Sequence, residues 1–161
     1  MHQSKSHGKR MGLAMTVAGA VAMMAAAAPG YARTTAHAAA RTVHVIEHAV
    51  TDTEVPVNGK ADATGNVLTF HNKVYNTADK VQVGRDEGFC IRLSVADGSW
   101  ECLWTTFLKG GQITVQGPYY DKKNSVLTIT GGTGAYTGAR GTMGLLSRNG
   151  GKEYDFVFHL L

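Results

Sequence analysis

The side chains of this 161-residue chain that could do chemistry sit in short apolar runs, often two residues apart. Residues two apart on an extended strand share a face, so Val45 with Glu47, Phe70 with Asn72, and Cys90 with Arg92 each present a pair to one side. Glu47 is the lone acid in "TVHVIEHAV". A carboxyl turned into an apolar interior has its pKa raised and can act as a general acid or stabilise a developing cation, whereas the same residue on a solvated strand face does neither. Cys90 has no sequence neighbour that would activate it as a nucleophile, so it reads as cavity wall. Arg92 has two readings. It either points inward, where it can pair with Glu47 and suit a carboxylated or phenolic ligand, or it faces solvent while Phe89, Ile91 and Leu93 turn into packing.

The glycine-rich run "GGTGAYTGARG", Gly131 to Gly141, invites comparison with a phosphate cradle. A dinucleotide loop must open a helix, and here "TMGLLS", a strand-like run, follows; no Lys-Ser or Lys-Thr pair completes a phosphate loop either. Gly131, Gly132 and Gly134 are better read as a tight connection, with Gly138 and Gly141 as bends. His44, His48, His71 and His159 form no metal pattern, because positions four apart spread along a strand instead of converging. No metal and no cofactor is expected. Trp100, Trp104 and Tyr136 read as packing.

These residues must be positioned by strands. Residues 1–40 carry a basic start (Lys5, Lys9, Arg10), an apolar run from Met11 to Ala28, then Pro29, Gly30 and small-residue sites, which is the order of a secretory leader. A membrane anchor is the competing reading of a run that long, but it is alanine-rich and weakly apolar. The expectation is an exported protein with no stable membrane insertion after cleavage. Four of the sixteen basic residues lie in the leader, so twelve bases face twelve acids in residues 41–161. The formal charge of +4 therefore argues for no nucleic-acid partner.

Residues 41–161 read as one domain of short runs rich in Val, Ile, Thr, Phe and Tyr, separated by Gly, Asn and Asp clusters. Strands are expected near Thr42–Thr51, Asn66–Tyr75, Gly88–Val95, Trp100–Leu108, Gln112–Gln116, Val126–Thr130, Ala139–Ser147 and Glu153–Leu160. The predicted fold is all-β, a sandwich or a barrel: eight strands with short links make antiparallel neighbours and can close on themselves. Asp97 and Gly98 give the strongest hairpin signal. A two-residue loop there sets Cys90 and Cys102 on opposite faces, and only an odd-length loop or a bulge would bring them together; free thiols are expected.

Several ordered motifs resemble the allene oxide cyclase family: "FHNKVY" (Phe70 to Tyr75), "GFC" (Gly88 to Cys90), "VQGPY" (Val115 to Tyr119) and the glycine turn to Gly141. "VGRDEG" and "GGTG....ARG" also resemble the related dirigent proteins. The resemblance implies an eight-stranded antiparallel β-barrel of calycin type with an apolar cavity, assembled as a homotrimer, that binds a hydrophobic small molecule, fatty-acid-derived or phenolic. It further implies that Phe70, Asn72, Cys90 and Tyr119 line the cavity. Tyr119 falls on the cyclase side of the comparison and Arg140, in "GARG", on the dirigent side. Family cyclases pair a glutamate with an asparagine on the first strand; an ungapped match puts Val45 at the glutamate position and Glu47 at the asparagine position, and a two-residue shift moves Glu47 to the first. Both registers turn Glu47 inward. Glu47, Asn72 and Tyr119 are thus the candidate catalytic residues, with Phe70, Cys90, Arg92, Val45 and Arg140 around the ligand. Two functions follow: an isomerase or cyclase that steers stereoselective ring closure, or a secreted dirigent-like or lipocalin-like protein that orients or carries a ligand without catalysis.

Overall fold

The computed structural model describes residues 40–57 and 59–161; the expected leader lies outside them. Among the described residues, nine strands run in chain order: β1 (Arg41–His48), β2 (Thr53–Val55), β3 (Val67–Tyr75), β4 (Gln82–Ser94), β5 (Ser99–Leu108), β6 (Gly111–Tyr120), β7 (Ser125–Gly134), β8 (Gly141–Arg148) and β9 (Glu153–Leu160). Every pairing is antiparallel, in the order β1-β9-β8-β7-β6-β5-β4-β3-β2. β1 also pairs with β3 through Ile46, Glu47 and His48, which closes an eight-stranded barrel. Closure removes the free edges that a small open sheet would expose. The ninth strand, β2, has no counterpart in the sequence reading. It pairs with the first half of β3, beyond the point where β1 ends.

Alternation decides which side chains enter the barrel. On β5 Trp100, Cys102, Trp104 and Thr106 are buried, while on β9 Phe156, Phe158 and Leu160 are. Ile113, Val115, Leu127, Ile129, Met143 and Phe158 pack the core toward the end where β1 begins. Val45 belongs to this core.

β4 is longer than its apolar run suggested, because "QVGRDE" already pairs with β3 and β5. The β4–β5 turn also differs. Ser94 pairs with Ser99 across Val95 to Gly98, and a register shift between Arg92 and Ser94 leaves Leu93 unpaired. The four-residue turn moves the partner of Cys90 from Thr105 to Leu103, and the one-residue bulge then changes the parity and sets Cys90 opposite Cys102. The two cysteines are joined as a disulfide with Cα atoms 4.0 Å apart, which overturns the expectation of free thiols. In the glycine-rich run, Gly131 and Gly132 lie within β7 and have no positive φ; the turn begins at Gly134, whose φ of 59° is the left-handed conformation glycine accepts at little cost.

Candidate functional site

Where β3, β4 and β5 meet the first half of β9, the barrel interior is not filled. Gly88 is one cause. Its Cα faces Trp104 across the β4–β5 pair, and a Cβ there would come within 2.3 Å of the Trp104 Cβ. The unfilled space is about 410 Å³, part of it open to solvent at the mouth. Leu68 and Phe70 from β3, the Cys90–Cys102 disulfide, Trp104, Leu145 and Phe156 form its apolar wall. Phe70 meets Trp104 edge-on with ring centres 6.0 Å apart, and Trp104 tilts against Phe156 at 5.5 Å.

The opposite wall is acidic. Glu47 from β1, Asp86 from β4 and Asp52 from the β1–β2 connection reach the same space. Asn72 holds Glu47 and Asp52 from behind. Its amide nitrogen donates to Glu47 Oε1 at 2.5 Å and to Asp52 Oδ1 at 2.6 Å. Its oxygen accepts from the Val50 and Thr51 N–H groups and from the Thr51 hydroxyl. One buried amide thereby folds the β1–β2 connection inward and fixes the orientation of Glu47. In register, Asn72 lies opposite Asp86 and Asp86 opposite Thr106, so a polar belt crosses the barrel beneath the apolar wall.

Glu47 and Asp86 are 4% and 0% exposed, and Glu47 Oε2 and both Asp86 oxygens lack a well-formed hydrogen bond. Burial, reinforced by the charges of Asp86 and Asp52, raises the Glu47 pKa from 4.5 to about 9, with the Asn72 hydrogen bond opposing. Burial and then the Asp52 charge raise Asp86 to about 8; the backbone N–H groups of Asp86 and Asn72 offset this only partly, from poorly aligned positions. Asp52 is also raised by burial, against its Asn72 hydrogen bond. At neutral pH the two deep groups are carboxylic acids, able to donate a proton. Between the walls, the Tyr119 and Tyr154 hydroxyls are 3.0 Å apart, and burial holds both phenols protonated well above their usual range. Trp104 Nε1 is a buried donor without a partner.

A closed barrel with an inward acid on β1 and Tyr119 of "QGPY" in the pocket wall is the arrangement implied by the sequence motifs, and the family model described as allene oxide cyclase matches residues 38–148. The chain belongs to the allene oxide cyclase family. Solved structures with the same fold include a pyocyanin demethylase (TM-score 0.62, 20% identity, 73% of this chain and 100% of that one). A pterocarpan synthase dirigent protein is similar as well (TM-score 0.61, 20% identity, 75% and 82%). So is a Diels-Alderase from Streptomyces koyangensis (TM-score 0.58, 13% identity, 75% and 69%). At these identities the likeness is one of fold.

Within this allene oxide cyclase-family barrel, Glu47, Phe70, Cys90 and Tyr119 line the pocket. Glu47 points inward, which removes the solvated-face reading. Asn72 stands behind the wall, with its amide committed to Glu47, Asp52 and the β1–β2 backbone. Val45 shares the face of Glu47 but packs in the core. Arg92 is inward, as one reading had it, yet it pairs with Asp62 and Asp121 and stacks over Trp100 at 4.1 Å; it does not meet Glu47. Arg140 is exposed in the turn before β8, so its cavity assignment is corrected.

Asp86, Asp52, Trp104, Tyr154 and Phe156 were not singled out for the site. Asp86 was within reach, since 86, 88 and 90 alternate along one strand face. Tyr154 and Phe156 alternate in the same way on β9, whereas nothing in the sequence marks Asp52, which enters from a connection. Outside the pocket, His48, Asp79 and Glu153 bring donor atoms within 4.8 Å of one another. His48 is already bonded to Asp79 at 2.7 Å and stacked on Tyr75, so this group is explained as a surface contact among β1, β9 and the β3–β4 turn.

Proposed function

We propose that the protein is a cofactor-independent isomerase or cyclase that confines one reactive, hydrophobic small molecule and sets the stereochemistry of its ring closure. The observation that carries this reading is the pair of buried carboxylic acids, Glu47 and Asp86, facing an apolar and aromatic wall. A carboxyl lends its proton to a strained ether or carbonyl oxygen of the substrate. The C–O bond breaks with its electron pair going to that oxygen, or the carbonyl π pair shifts onto it, and the carbon left electron-poor faces the new carboxylate and the aromatic rings. A π pair elsewhere in the substrate forms the ring bond on that carbon, the cyclised cation loses a proton to the carboxylate, and the product is an isomer of the substrate. Asn72 is a positioning residue, while Phe70, the Cys90–Cys102 disulfide and the Tyr119–Tyr154 pair shape the space in which only one folding of the substrate closes.

The pocket size and the commitment of Arg92 to two aspartates favour a compact aromatic or phenolic substrate over a fatty acid whose carboxylate must be bound inside. The leader pattern and the disulfide together support export, because disulfides persist in oxidising compartments. The outward row Phe89, Ile91 and Leu93, with Leu103 opposite Phe89, supports self-association of barrels, which sedimentation of the purified protein tests. For the reaction, allene oxides and aryl epoxides are generated in place and the products resolved on a chiral column. An excess of one enantiomer that disappears in Glu47→Gln and Asp86→Asn is expected; racemic product from every substrate at excess protein contradicts the reading.

A further inference from the structure

The charge inventory of the pocket wall is one-sided. Its ionisable groups come from five places: Glu47 on β1, Asp52 on the β1–β2 connection, Asp86 on β4, Tyr119 on β6 and Tyr154 on β9. β3, β5 and β8 contribute only apolar, aromatic or disulfide-bonded side chains. Among the described residues, no lysine, arginine or histidine lines the space. The Arg92 guanidinium stands outside the lining, held by Asp62 and Asp121, so the Asp121 charge is also already paired. Glu87 belongs to the outer face of β4, where Arg85 and His71 accompany it.

An anionic ligand would meet no counter-charge here. A cation would meet three carboxyl groups, among them three buried oxygens without hydrogen-bond partners, and aromatic rings set at 73°, 40° and 82° to one another. Rings crossed at such angles offer both faces and edges to a flat guest, and a ring face attracts a cation most strongly when water is excluded.

We propose that this pocket selects flat aromatic cations, such as N-alkylated or protonated nitrogen heterocycles, over neutral molecules of the same shape, and that it releases a proton as they enter. The inference rests on the reading of the pocket as a ligand site and names the charge of what that site prefers. The positive ligand stabilises the ionised form of a carboxyl that is neutral in the free protein, so binding expels its proton to solvent. A stable cation of this kind also resembles the electron-poor state that the acids would support during ring closure.

The test compares 1-methylquinolinium with its neutral isostere 1-methylnaphthalene by calorimetry on the purified protein, from pH 5.5 to pH 8.5 and in two buffers of different ionisation heat. Cation affinity should rise with pH, by about tenfold per unit where one proton is released, and flatten as the free acids ionise near pH 8 to 9. The isostere should show no such rise. Apparent binding heats of the cation should differ between the buffers by an amount corresponding to roughly one proton, a readout that needs no variant. Asp86→Asn and Glu47→Gln should each flatten the pH dependence and reduce the cation preference. Equal affinities for the two probes, or cation binding without proton release, overturns the inference while leaving the pocket as a ligand site. If neither probe binds, the ligand-site reading falls as well.

Discussion

Replacing Glu47 by Gln should make the protein more stable above neutral pH, not less. The folded state holds the Glu47 carboxyl protonated up to about pH 9, whereas the unfolded chain loses that proton near pH 4.5. The group's contribution to stability is therefore complete below pH 4.5, declines as pH rises, and is exhausted as pH passes through 9. Between pH 4.5 and pH 7 the loss is on the order of 3 kcal/mol at ~1.4 kcal/mol per pH unit, for a side chain only 4% exposed and so little screened by solvent. A glutamine keeps the acceptor that Asn72 uses and places an amide at the position of the unpartnered oxygen, near Asp86. It removes the proton linkage without opening a cavity. Urea unfolding followed by the fluorescence of buried Trp100 and Trp104, at pH 5, 6, 7 and 8, reads the effect directly. The variant's stability should fall less steeply with pH than that of the unmodified protein, with the curves separating by roughly 4 kcal/mol between pH 5 and pH 8. Parallel curves across the whole range would refute a Glu47 carboxyl held neutral by burial.

Asn72→Ala leaves Glu47, Asp52 and the β1–β2 backbone without their shared partner and should cost roughly 2 to 4 kcal/mol in chemical denaturation, with faster amide exchange at Val50 and Thr51. The double variant Cys90→Ala/Cys102→Ala loses a cross-link spanning 12 positions and should unfold about 2 to 4 kcal/mol more easily; before reduction, the unmodified protein should take up no maleimide. Gly88→Ala puts a methyl group against Trp104 and the Leu103 carbonyl, and should destabilise by roughly 3 kcal/mol while weakening ligand binding, read by calorimetry. Arg92→Met should cost about 2 kcal/mol, less than for a fully buried pair because Asp62 and Asp121 retain solvent contact, and should leave the pH dependence assigned to Glu47 in place.

The strands were legible because alternation and turn chemistry agree along most of the chain, and their closure into a barrel because the ordered motifs resemble a barrel family; the acid of β1 was legible because it interrupts an apolar run. What escaped depended on register and on long-range contact. One bulge at Leu93, invisible in a run of Phe, Ile and Leu, reverses the relation of Cys90 to Cys102. Asp86 sits in a stretch of charged residues and glycines that looks like a turn, and it becomes a strand only through partners on both sides. Asn72 was recognised by residue type, but its role follows from a connection that folds back on it, and no local pattern encodes that contact. Arg140 shares a motif with the glycine turn, yet a turn residue at the rim has no path inward.

The most direct measurement is a carbon-13 NMR titration of the side-chain carboxyls in the purified protein, with Glu47→Gln and Asp86→Asn used to assign the resonances. Titration midpoints near 9 for Glu47 and near 8 for Asp86 are expected, with both signals protonated at pH 7. Midpoints at about 4 for both, the ordinary range for exposed carboxyls, would contradict an acid-lined pocket as the working site.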